Sequence, residues 1–238
     1  MSSKQIAIVT GASQGIGAAL VDALLNAGYN VVATSRNVDR VLNASSNLAL
    51  VAGDIGKQQT ANDVVAAAVE KFGRIDLLVT NAGIFSTKPF TEFTTDDFNA
   101  LVSTNLLGFV YITQRVVAQM LTQGSGAVVS ITAALADQPI AGVNAAVPMI
   151  TKGGLNAVIK SLAIEYARKG IRFNAVAPGI VDTPMHKDNP KDALRSLQPM
   201  GQIARVSDVT DAVLYLAHAG QVTGEVLHVD GGSHAGRW

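Results

Sequence analysis

The chain alternates short apolar runs with longer stretches in which apolar side chains recur every three or four positions. The runs predict strands at residues 5–10, 31–34, 48–51, 75–80, 127–131, 171–176 and 226–229. The periodic stretches predict helices over about 15–27, 57–72, 95–122, 147–169 and 206–218. Ile16, Leu20, Leu24 and Leu25 share one face of the first, and Val64, Val65, Ala68 and Val69 one face of the second. Gly28 reads as a C-terminal stop, Thr94 or Thr95 as the cap of the third helix, and Gly124 with Gly126 as the turn beyond it. Only a very short helix fits between the second and third strands. From Ile180 to about Ala204 the pattern is irregular and rich in Pro, Met and charge. Regular alternation of strand and helix predicts an α/β fold, a doubly wound parallel sheet of about seven strands with helices on both faces. No repeat or linker interrupts it, so residues 1–238 read as one domain.

Composition narrows the function classes. Formal charge is zero, and nothing in it suggests nucleic acid or an anionic membrane as partner. No cysteine is present, which excludes disulfides and thiolate chemistry and fits a cytoplasmic protein. Met1-Ser2-Ser3-Lys4-Gln5 runs straight into the first strand, so no signal peptide is expected, and no apolar run reads as long enough to span a bilayer.

The chemistry begins at Thr10-Gly11-Ala12-Ser13-Gln14-Gly15-Ile16-Gly17. A strand leads into this turn and a helix leaves it, so unpaired N–H groups and the positive end of the helix dipole meet there. That is a site for a dinucleotide pyrophosphate. Gly11 permits the tight turn, Gly15 the approach of a phosphate to the backbone, and Gly17 close packing of helix on strand.

These residues resemble the cofactor turn of the short-chain dehydrogenase/reductase family, and the likeness runs through the chain. Asn81-Ala82-Gly83 after the fourth strand, Asn105, Lys152, Pro178-Gly179 and Asp230-Gly231-Gly232 stand in family order and at family spacing. The resemblance implies a single-domain Rossmann-type fold and a nicotinamide cofactor, with Gly11, Ser13, Gln14, Gly15, Ile16 and Gly17 around the pyrophosphate. Members that prefer NAD carry an acid at the end of the second strand. Ser35 and Arg36 stand there instead and suit a 2′-phosphate, which implies NADP(H). Asp54 and Ile55 resemble the pair that meets adenine. Asn81, Ala82 and Gly83 resemble the segment lining the adenosine ribose, though such a turn also ties down its neighbouring strand. Pro178, Gly179, Val181 and Thr183 match the segment that holds the nicotinamide carboxamide.

The catalytic set is incomplete. The family moves a proton with a tyrosine four residues before the lysine, helped by a serine at the end of strand five and an asparagine in the long helix. Lys152 matches the lysine and Asn105 the asparagine, but the tyrosine position holds Pro148 and the serine position aligns with Ala133. Pro148 falls near a helix start, where proline removes no hydrogen bond. Ser130 and Thr132, on one face of strand five, and His186, on the loop over the substrate, are the candidate replacements. Asn144 and Thr151 are weaker ones. The reading is an NADP(H)-dependent oxidoreductase with an altered proton relay, acting on a small carbonyl, imine or activated double bond. A non-catalytic NADP(H)-binding sensor or scaffold, and a non-redox lyase or isomerase, stay open beside it. No metal is expected. The resemblance also implies a homotetramer built through the helices at 95–122 and 147–169, with Leu106, Val110, Leu155, Val158 and Leu162 available.

Overall fold

A computed structural model describes residues 4–236. Seven parallel strands form its single sheet: β1 (Ile6–Thr10), β2 (Asn30–Ser35), β3 (Leu48–Ala52), β4 (Leu77–Thr80), β5 (Gly126–Ile131), β6 (Ile171–Pro178) and β7 (Val226–Val229), in the order β3-β2-β1-β4-β5-β6-β7. The order reverses between β1 and β4, and ligands of such sheets sit at that switch, beyond the carboxyl ends of the strands. The helices are α1 (Gly15–Asn26), α2 (Val38–Val41), α3 (Gln58–Phe72), α4 (Thr95–Leu101), α5 (Gly108–Gln123), α6 (Ala146–Tyr166), α7 (Lys191–Ser196) and α8 (Val206–His218).

Alternation within each strand builds two core layers. Ala7, Val9, Val31 and Val79 pack against Leu20 and Leu24 of α1 and Val209 and Val213 of α8. Ile8, Val32, Leu78 and Val128 face Val64 of α3, Ile112 and Val116 of α5, and Ile159 of α6. Central strands buried on both faces explain why their sequences read as unbroken apolar runs.

Several predicted bounds shift for identifiable reasons. β4 starts at Leu77 rather than 75, because the Ile75 N–H donates to the Gln123 Oε1 and its carbonyl accepts from the Gln123 Nε2 instead of joining a ladder. β6 runs on to Pro178, since β7 pairs with it as far as Pro178 opposite Val229. The predicted helix at 147–169 ends at Tyr166 and closes in a tighter turn, 167–169, before Gly170 at φ +74°. The irregular stretch after Ile180 contains α7 and a tight turn at Pro184–His186.

The long helix predicted at 95–122 carries the most informative departure. Thr94 caps it, accepting from the Asp97 N–H while the Asp97 carboxylate accepts from the Thr94 N–H. Bonds from Lys88 first, and then from Thr94, hold that carboxyl down at about 2. Val102–Leu107 then widens into a π turn before α5. From Thr95 to Gln123 the helical run is 29 residues and its most apolar 18-residue window has a mean hydropathy of 1.2, so by length and composition it could cross a bilayer, contrary to the sequence expectation. Here its apolar face, Phe109, Ile112, Val116 and Met120, is buried in the core.

Candidate active site

A cleft of about 820 Å³ runs along the carboxyl ends of the strands. Its dinucleotide end is shaped by glycines. Gly11, at φ +68°, passes so close to the next loop that a Cβ would lie 2.8 Å from the Ala82 Cα. A Cβ on Gly17 would run into the Gly11 carbonyl oxygen. Larger residues would push α1 off β1 and fill the turn. Gln14, the residue at the N-terminal cap of α1, makes no side-chain cap and no acid occupies the first turn. The N–H groups of this helix start are left for an anion. Gly11, Ser13, Gln14, Gly15, Ile16 and Gly17 all line the cleft.

Asn81 serves the adjoining strand as well as the cleft. Its Nδ2 donates to the carbonyls of Thr10 (3.0 Å) and Gly11 (3.2 Å), while its own N–H and that of Ala82 both donate to the Thr10 Oγ1 at 3.0 Å. The structural role foreseen for this turn therefore coexists with its place on the cleft wall. At the end of β2 the Ser35 hydroxyl is buried without a hydrogen-bond partner, and exposed Arg36 has no carboxylate partner among the described residues. Asp54 and Ile55 line the same end, with the Asp54 Oδ1 accepting from the Gly56 N–H at 3.0 Å. An orphaned hydroxyl, an unpaired guanidinium and an uncapped helix start fit a phosphorylated dinucleotide.

At the other end Lys152 and Asn105 converge on Gly83. A Cβ on that glycine would lie 3.2 Å from the Lys152 Nζ and 3.3 Å from the Asn105 Oδ1. Lys152 is buried on the second turn of α6 and donates to the Ile131 carbonyl at 2.8 Å. Burial pushes its ammonium down to about 8. The Asn105 side chain is fully engaged: its Oδ1 accepts from the Ile84 N–H, and its Nδ2 donates to the Ile84 carbonyl and the Thr151 Oγ1. The π turn aims this amide at its partners, a common use of such widened turns. Thr151 in turn donates to the Pro148 carbonyl at 2.8 Å, which places it in the support of α6.

Pro148 is the third residue of α6, and the first helical bond runs from the Met149 N–H to the Ala145 carbonyl. Its missing N–H is therefore one that the helix would leave unpaired in any case. Pro148 is buried and does not line the cleft. Ala133 and Thr132 do, as do Pro178, Gly179, Val181, Thr183 and His186. Ser130 does not join them. It is wholly buried, with its Oγ accepting from Thr80 at 2.8 Å, because β4 places Thr80 beside it in register. Asn144 is exposed and also lies off the cleft wall. Sequence reading missed Phe85, Leu135, Ile140, Val143 and Leu194, which wall the far end. They stand in loops or one short helix, where no periodicity marks a shared surface.

A family model described as enoyl-(acyl carrier protein) reductase matches residues 11–234. An acetoacetyl-CoA reductase of Acinetobacter sp. (strain RA3849) is 33% identical over 98% of each chain. The chain belongs to the short-chain dehydrogenase/reductase family. Among solved structures of the family, the 3-ketoacyl-(acyl-carrier-protein) reductase from Brucella melitensis, complexed with NADH, superposes with a TM-score of 0.91 at 30% identity, covering 98% of this chain and 100% of that one. ElxO with NADP bound matches with the same score, identity and coverage.

Proposed function

We propose that the protein is an NADP(H)-dependent oxidoreductase whose proton relay differs from the usual short-chain arrangement. The carrying observation is the glycine cradle at the uncapped start of α1, opening into a cleft lined by Gly83 and Lys152, with Asn105 buried behind Gly83 and off the cleft wall. Relatives named as reductases and a neighbour bound to NADP support the reading. When bound, the dinucleotide supplies a hydride. Ser35 and Arg36 would hold its 2′-phosphate, Gly11 to Gly17 its pyrophosphate, Lys152 a ribose, and the Pro178 to Thr183 segment its carboxamide. Pro148 has no proton to give and Ala133 no hydroxyl to polarise a carbonyl. Of the side chains that line the cleft, Lys152, Thr132 and His186 are our candidates to carry a proton to substrate. A small carbonyl, imine or activated double bond is the substrate type that tolerates this reduced set.

Stopped-flow mixing of NADPH-loaded protein with a panel of such substrates tests the reading, and loss of nicotinamide absorbance is the expected result. Tight NADPH binding with no oxidation by any of them would favour a sensor or scaffold, a reading that Pro148 and Ala133 support. Product without cofactor oxidation would favour a lyase or isomerase.

The reading includes a homotetramer. Phe98, Leu107, Val110 and Leu121 on the helical run Thr95–Gln123, and Ile150, Val158 and Ile164 on α6, are apolar and exposed, Ile164 at 82%. Leu155 is not available, being buried in the core, and Leu106 and Leu162 pack partly against that core. Light scattering at micromolar concentration should give four chains; a monomer would remove this part of the proposal.

A further inference from the structure

Gln198 stands on the cleft wall just beyond α7 and takes no part in the chemistry proposed above. It is only 3% exposed. Its main chain is tied down on both sides: its N–H donates to the Arg195 carbonyl at 3.0 Å, and its carbonyl accepts from the Gly201 N–H at 2.8 Å. Its side chain enters space that two glycines leave open. A Cβ on Gly179, after β6, would lie 2.9 Å from the Gln198 Oε1, and a Cβ on Gly231, after β7, would lie 3.4 Å from it. The amide is therefore held at the carboxyl ends of β6 and β7, against the segment that runs from Pro178 to Thr183.

The hydrogen bonds of this amide are incomplete. A primary amide carries two donor protons and two acceptor lone pairs. Nε2 makes one long bond, to the Leu197 carbonyl at 3.3 Å, and Oε1 accepts from no donor among the described residues. Ser233, also buried on the cleft wall, differs in donating its Oγ proton to the Asp230 carbonyl at 2.8 Å. Polar groups buried this deeply are normally paired, so the open positions on Gln198 call for a partner from the cleft. A free acceptor and a free donor on one planar group complement another primary amide. A carboxylate offers no donor, and an ammonium no acceptor. We propose that Gln198 recognises the carboxamide of the nicotinamide cofactor, with Oε1 accepting from the carboxamide nitrogen and Nε2 donating to the carboxamide oxygen. This rests on the dinucleotide reading of the cleft, which sets the carboxamide at the segment that Gln198 touches through Gly179.

Three ligands test it by calorimetry: NADP+, its 3-acetylpyridine analogue, in which a methyl group replaces the carboxamide nitrogen, and 2′-phospho-ADP-ribose, which lacks the nicotinamide. Gln198→Met and Gln198→Leu each remove the amide and keep its bulk. The wild type should bind NADP+ more tightly than the analogue, and either variant should narrow that ratio by about three- to tenfold. Affinity for 2′-phospho-ADP-ribose should not change, which also shows that the dinucleotide end of the variant is folded. Equal losses for all three ligands would make Gln198 a packing residue and overturn the inference. An unchanged ratio would overturn it too, leaving the amide to water. If the wild type binds none of the three, the dinucleotide reading falls and this inference with it. The expected binding pattern with no substrate reduced upholds the inference and removes only the redox reading, so the two failures are separable.

Discussion

The two ends of the cleft have been treated differently by the sequence. At the β1–β3 end every position expected to meet the dinucleotide is present and lines the cleft. At the β5–β7 end, on the proposed reading, Pro148 and Ala133 stand where two of the four expected catalytic side chains would be. The contrast follows from what each position does for the fold. Gly11 and Gly17 sit where a Cβ would strike neighbouring backbone, so changing them costs packing as well as binding. Pro148 occupies the first turn of α6, where no hydrogen bond depends on its nitrogen, and Ala133 lies in extended backbone at φ −160°. Chemistry carried only by a side-chain tip can be lost there while the scaffold stands. Lys152 and Asn105 persist between these extremes because each also bonds main chain, at Ile131 and Ile84.

The comparison can be broken most sharply by restoring the missing groups. Pro148→Tyr with Ala133→Ser should raise turnover of simple ketones by up to about 10²–10⁴, the usual worth of general acid assistance, and by more than either change alone. Wild-type turnover already at family-like rates would show that another group supplies the proton. Single replacement of Thr132 and His186, read as turnover at constant cofactor affinity, would then find it.

Lys152 gives the next largest effect. Its ammonium titrates at about 8 in the folded apo-protein against 10.5 unperturbed. Between those values the unfolded chain binds more protons, so stability should rise with pH across that window, by up to about 3 kcal/mol. Denaturant unfolding from pH 7 to 10.5 should show the rise, and Lys152→Met should flatten it. An equal rise in that variant would assign the effect to other groups.

Gly17→Ala should cost about 1–3 kcal/mol of stability by overpacking and weaken NADPH binding, whereas Gly154→Ala, on α6 with open space around it, should do neither. Equal effects at the two glycines would erase the distinction between the two ends. The smallest expected change is at Arg36. Arg36→Asp should shift preference from NADPH toward NADH by about tenfold or more, measured as the ratio of dissociation constants. A wild type that binds both cofactors equally would show that Ser35 and Arg36 do not select.

The sequence by itself determined the order of elements, the parallel sheet and the dinucleotide turn. Buried strands and amphipathic helices must repeat their apolar residues at fixed local periods, and a tight turn must have glycine at fixed positions. It also showed that Pro148 cannot transfer a proton, since that is a property of the residue type. Only the tertiary structure decided which side chains of similar chemistry reach the cleft. Ser130 and Thr132 sit two apart on one strand, yet Ser130 is taken by Thr80 from the neighbouring strand and Thr132 reaches the cleft wall. Asn105 is aimed by a π turn that no periodicity announces, and Gln123 sets the start of β4 through Ile75, 48 residues away. The apolar side chains from Phe85 to Leu194 are gathered on the cleft wall from three separate connections. Those are distances between residues remote in the chain, which local sequence patterns do not encode.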